Sequence, residues 1–218
     1  MKNMMIRKMA GIAMLIALEV ILQFVGNYIT IGTVSINLSL MPIAMAAILY
    51  GPVAGLVLGV VNGAMVLLNA QAFLAVSWYW TVIICLTKTG LAGLVSGLLF
   101  KLFKGKGMIP GIFVCSLIVP IINTGIFALG AISVLRPWLD GVCQALENPD
   151  VGYVLLIVVI GINFLFELGV EIFLTPVLIY LLKIITKRYD IGDNIGDALF
   201  AKAKEPIKNN DEMEGEEF

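Results

Sequence analysis

The chain has 218 residues, of which 60% are hydrophobic and only 13% charged, and its mean hydropathy is +1.02. Soluble domains run at about 45–50% apolar and about 25% charged, so this composition excludes an ordinary soluble domain and reads as an integral membrane protein. The net charge of -1 hides a segregation, because nine of the fifteen carboxylates lie after Tyr189, and nothing in the balance suggests a nucleic-acid partner. Histidine is absent and Cys85, Cys115 and Cys143 lie far apart, so neither a zinc site nor a disulfide framework is indicated. Cys85 and Cys115 read as small apolar residues inside helices.

Lys2, Arg7 and Lys8 precede an apolar run over residues 9–25. The run is long for a signal-peptide core of about 7–15 residues and no A-x-A-like cleavage site comes after it, so it reads as a first membrane span. Ala10, Ala13 and Ala17 fall at helical spacing and make one face smooth enough for another helix to approach. Glu19, at about 100° per residue, lies nearly opposite Ala17.

Residues 26–38 carry no charge but include Asn27, Tyr28, Thr30, Thr33, Ser35 and Asn37, and read as a loop at a membrane surface. The apolar segment over residues 36–50 is short for a span of about 20 residues. Gly51-Pro52 makes a turn, because glycine accepts unusual backbone angles and proline cannot continue the preceding helix. The third segment, residues 53–68, sets Gly55, Gly59 and Gly63 four apart, a stripe for close helix packing.

Residues 69–81, NAQAFLAVSWYWT, are again uncharged. Trp78, Tyr79 and Trp80 read either as an interfacial aromatic belt or as a cap over a bound ligand. The fourth span, residues 81–103, holds Lys88, the one basic residue deep in a span, and ends at Lys101, Lys104 and Lys106. The fifth, residues 108–135, contains Pro110, Pro120 and the pair Asn123-Thr124, and leads into the polar loop RPWLDGVCQALENPD. The sixth, residues 153–185, contains Asn163, Glu167, Glu171 and Pro176 and terminates at Lys187-Arg188. The chain thus divides into a six-helix domain over residues 1–188 and an acidic tail over residues 189–218 too polar to pack a core. Because the basic residues cluster at the N-terminus, the 101–106 loop and the end of span six, the positive-inside rule makes both termini of this all-α protein cytoplasmic.

A charge inside a span costs roughly 2.5–3.5 kcal/mol on insertion scales, so each needs a partner, a cavity or a function. Glu19, Lys88, Glu167 and Glu171 qualify. Counting helical rise from the outer ends places Glu19 about 9 Å down, Lys88 about 10 to 14 Å, Asn123 and Asn163 about 15 to 18 Å and Glu167 about 20 to 24 Å, so most of the set converges on the outer half of the bundle. One reading pairs Lys88 with Glu167 or Glu19 merely to neutralise buried charge. The other makes a solute cavity in which Lys88 and the asparagines bind polar groups. Glu171 and Pro176 lie deeper and read as structural.

Without histidine or a G-x-S-x-G motif a hydrolase is disfavoured, and without a P-loop the chain cannot itself harvest ATP. No filter-like repeat argues for a channel. The Ala13/Ala17 face, the stretch YITIGTVSINLSLMPIAMAAILYGPVAGLVLGVVNG and the INTGIFALGAI stretch together resemble the substrate-binding S component of energy-coupling factor (ECF) vitamin transporters, over about residues 5–188. The resemblance implies a vitamin bound from outside and docking on one membrane T subunit and two ATPase subunits in a bacterial cell membrane. ATP would be used by those partners, with no cofactor in this chain. It assigns docking to Ala10, Ala13 and Ala17 and occlusion of the ligand to the loops 26–38 and 69–80. The ITIGTVSINL loop and Asn123-Thr124 are most similar to pantothenate-type members, and Lys88 would suit a carboxylate. The substrate-binding set expected on this basis is Lys88, Asn123, Asn163, Asn37, Tyr28, Trp78, Trp80 and Glu167. S components for riboflavin or folate, and an ion-coupled carrier without an ATPase partner, are the alternatives.

Overall fold

A computed structural model describes residues 2–28, 30–31, 34–35, 37–103 and 108–189. The expected acidic tail beyond Tyr189, and Lys104 and Lys106, lie outside the described residues. The first helix, α1 (Lys2–Asn27), leads to two antiparallel two-residue strands, β1 (Thr30–Ile31) and β2 (Val34–Ser35). Then come α2 (Leu40–Tyr50), α3 (Pro52–Leu67), α4 (Gln71–Val76), α5 (Trp78–Leu102) and α6 (Met108–Ser133). The chain ends with α7 (Arg136–Ala145), α8 (Val151–Tyr153), a π-helical stretch (Val154–Gly161) and α9 (Ile162–Tyr189). Four stretches, Lys8–Asn27, Trp78–Leu102, Ile109–Ser133 and Val151–Tyr180, are long and apolar enough to cross a membrane, and α2 and α3 are shorter apolar helices.

The short α2 is buried from Leu40 to Leu49. A helix apolar all round belongs inside protein or lipid, and here α1, α3, α5, α6 and α9 all pack against it. Gly51 comes next at φ 97°, a backbone angle that a residue with a Cβ adopts at a cost, and Pro52 opens α3 where its missing N–H loses nothing. Large side chains such as Met14, Leu129, Leu165 and Phe173 are exposed around the outside, as expected of surface that meets lipid chains.

The glycine stripe of α3 faces α5 at backbone contact. A Cβ added at Gly55 would strike the Gly93 backbone, one at Gly59 the Thr89 carbonyl, and one at Gly63 the Cys85 carbonyl. The same close approach lets Thr89 Oγ1 donate 2.5 Å across to the Gly59 carbonyl oxygen. Such contact replaces the hydrophobic driving force that is missing between helices in lipid. Ser96 on α5 similarly donates to the Cys115 carbonyl of α6 at 2.8 Å. All three cysteines are free and buried.

Two elements differ from the sequence expectation. Residues 136–145 are not loop but the helix α7, opened by Pro137 near its first turn, with Leu139 and Cys143 buried and Arg136 bonded to Asp140 at 2.8 Å. The last span is not one α-helix, because over residues 154–161 it widens to π geometry. A Cβ at Gly161 would press on the Leu156 carbonyl five residues back, so glycine suits the close of that widened stretch. A π insertion rotates the downstream helix by about 100° relative to an uninterrupted α-helix. The residues it redirects include Asn163 and Glu167.

Candidate substrate cavity

A cavity of about 140 Å³ lies between α1, α3, α5, α6 and the last span. α1 contributes Gln23 and Asn27 to its wall, the turn before α2 contributes Asn37, and α5 contributes Lys88. Asn123, Thr124 and Phe127 come from α6, one helical turn apart at positions 123 and 127. The last span supplies Val159 and Ile160 from its π-helical stretch, then Asn163, Phe164 and Glu167 from α9.

The lining is electrostatically unusual for a membrane interior. Lys88 is half-buried, and among the described residues no carboxylate lies within 4 Å of its ammonium. Its Nζ sits instead 5.6 Å from the centre of the Phe127 ring, close enough for the ring quadrupole to attract it. Across the same cavity Glu167 is buried and accepts a long hydrogen bond of 3.4 Å from Thr124 Oγ1. The Oδ1 atoms of Asn123 and Asn163 are buried without any hydrogen-bond partner. A buried acceptor left unpaired costs about 1–3 kcal/mol, so these oxygens are poised to take N–H or O–H donors from a guest.

One wall of the cavity is aromatic. Phe73 of α4 meets Phe127 edge-on at 5.7 Å and Trp138 of α7 at 4.6 Å, so α4 and α7 are tied together beside Lys88. Phe73 and Phe127 line the cavity, and Trp138 backs both. The arrangement offers one cation, one carboxylate, several amides and an apolar wall, a composition suited to holding a small polar anion.

Lys88, Asn37, Asn123, Asn163 and Glu167, chosen from the sequence, therefore share one cavity. Tyr28, Trp78 and Trp80 are not in its lining: Tyr28 is 88% exposed, Trp78 is 70% exposed, and Trp78 and Trp80 each stack edge-on with Tyr79 in the first turn of α5. Glu171 is buried beyond Glu167, outside the lining. Gln23 and Phe127 escaped sequence reasoning, although each lies four residues from a chosen or suspect polar residue, Glu19 and Asn123. Ala10, Ala13 and Ala17 are exposed on α1, whereas Glu19 on the other side of that helix is fully buried.

The family described as ECF transporter, substrate-specific component, matches residues 7–179, and the chain belongs to that family. It is thus a membrane-embedded, substrate-specific subunit of an ECF transporter, a class of transporter subunits rather than enzymes, whose work implies a small-molecule substrate and association with the T and ATPase module. Neither a curated protein nor a solved structure matches the chain.

Proposed function

We propose that this subunit binds pantothenate, or a close chemical relative, for an importer of a bacterial cell membrane. The observation that carries the reading is Lys88, a cation without a carboxylate partner among the described residues, facing the same cavity as the unpartnered oxygens of Asn123 and Asn163. Pantothenate carries one carboxylate, an amide and two hydroxyls around a branched apolar carbon. Its carboxylate would take Lys88 from the Phe127 ring, its N–H and O–H groups would serve Asn123, Asn163 and Glu167, and its methyl groups would meet Phe127 and Phe164. Asn37 would complete the amide wall. Tyr28, Trp78 and Trp80 are exposed in this structure and would reach the ligand only if the end of α1 and the first turn of α5 moved inward.

The working topology has six spans, with α2 and α3 completing the four long ones. By the positive-inside rule both termini face the cytoplasm, and the hairpin, α4 and α7 lie outside. Residues 1–188 form the binding domain and 189–218 a separate tail. Ala10, Ala13 and Ala17, exposed and nearly flat, would dock the T subunit, and the two ATPases would supply the energy with no cofactor in this chain.

Mass spectrometry of small molecules extracted from the detergent-purified subunit, with calorimetric titration of pantothenate, tests the assignment. Retained pantothenate or tight titration is expected. Retention of riboflavin or folate would replace the cargo, and no binding of any of them would remove the vitamin reading. Replacing Ala13 and Ala17 with Trp should leave titration intact and abolish co-purification with the T subunit. Uptake surviving that change would favour an ion-coupled carrier.

A further inference from the structure

Next to the cavity, Glu19 and Gln23 of α1, Asn37 and Ser39 before α2, and Asn62 of α3 meet in one cluster, each at least nine-tenths buried. Ser39 Oγ lies 2.8 Å from Gln23 Oε1 and 2.5 Å from Asn37 Oδ1, yet its single hydrogen can serve only one of those oxygens. The Asn62 amide donates to Gln23 Oε1 at 3.3 Å and also to Ser39 Oγ, while Asn62 Oδ1 receives the Asn37 amide at 3.3 Å. Gln23 spends its own amide on Asn27 at 3.1 Å. Beside the Asn62 amide and one turn from Gln23, both Glu19 carboxylate oxygens are buried with no hydrogen bond within 3.5 Å, and among the described residues no cation pairs with them. The cluster thus gathers the side-chain oxygens of Gln23, Asn37, Ser39 and Asn62 beside a carboxylate that no cation among the described residues compensates.

We infer that this cluster binds a small monovalent cation of the sodium type, with Glu19 balancing its charge and the oxygens of Gln23, Asn37, Ser39 and Asn62 completing its shell. An all-oxygen donor set suits a hard cation. A single carboxylate matches a single positive charge, whereas a calcium-type ion is ordinarily held by more. A carboxylate stranded in a membrane span calls for a compensating charge, and no side chain of the described structure brings one. Gln23 and Asn37 also line the neighbouring cavity, so a bound cation would fix two of its amides. If the cavity holds cargo, as proposed above, whatever factor the cation changes cargo affinity by, cargo changes cation affinity by the same factor.

The test needs no cargo, so its failure is separable from failure of the pantothenate reading. The full-length, cargo-free subunit in detergent is melted in sodium chloride and in choline chloride at equal ionic strength. A saturable rise in Tm of about 3 °C in sodium is expected, and it should vanish in Glu19→Gln. Should that variant fail to fold, Ser39→Ala, which removes one oxygen, should raise the half-saturating sodium concentration about threefold or more. Equal melting in the two salts overturns the inference. So does stabilisation by acid that is the same in both, which would make Glu19 a protonated acid, and so does a sodium effect that survives Glu19→Gln.

Discussion

The contact between α3 and α5 and the cavity that shares those helices with α1, α6 and the last span are built by opposite rules. In the contact, Gly55, Gly59 and Gly63 bring backbone against backbone, and the polar hydroxyl of Thr89 is spent on the Gly59 carbonyl. Nothing there is left over. In the chamber, Lys88 has no carboxylate partner among the described residues, and on neighbouring helices Asn123 and Asn163 keep oxygens without donors. The difference separates a framework contact in which polar groups and backbone are matched to one another from a chamber in which several polar groups have no partner among the described residues.

That contrast can be broken most severely at Gly59. Gly59→Leu forces a side chain into the Thr89 carbonyl, and the two helices must part; overpacking typically costs about 1–3 kcal/mol and here meets backbone that cannot yield, so loss of monodisperse protein on size exclusion is expected. Lys88→Met sharpens the other side. It should weaken pantothenate binding by roughly 30- to 100-fold in calorimetry, the scale of a lost charge-assisted hydrogen bond, while leaving Tm unchanged or slightly raised because no ion pair among the described residues is lost. A fall in stability without a fall in affinity would return Lys88 to the framework. The smallest effect belongs to Arg136→Ala on α7, where the exposed pair with Asp140 is lost and thermal unfolding should move by less than about 0.5 kcal/mol.

The framework was the more legible of the two in sequence, for a physical reason. Glycines at four-residue spacing in an apolar helix have few other uses, so the stripe announced itself, and the charges and amides of the spans announced the chamber. The partner of the stripe was not legible, because Gly90, Gly93 and Gly97 of α5 are spread among Thr89 and Ser96 without so regular a period. Gln23 was hidden by its place near the end of an apolar run, where it reads as approaching the surface; only its spacing from Glu19 marked the buried face. Phe127 carried no mark, since nothing in a single sequence says which phenylalanine sits over a lysine. α7 was masked by Pro137 and by its charges, although Leu139, Val142, Cys143 and Leu146 recur at helical spacing. The π-helical stretch left no signal, because Val154–Gly161 is as apolar as any membrane α-helix.

The brevity of α2 bears on how the protein enters the membrane. At about 1.5 Å per residue its eleven residues reach roughly half the ~30 Å of hydrocarbon that a helix inserted alone has to cross. Joined to α3 by the tight Gly51-Pro52 corner, it is suited to partition as half of a helical hairpin. In the finished bundle α1, α3, α5, α6 and α9 all pack against it, so its surface from Leu40 to Leu49 meets protein.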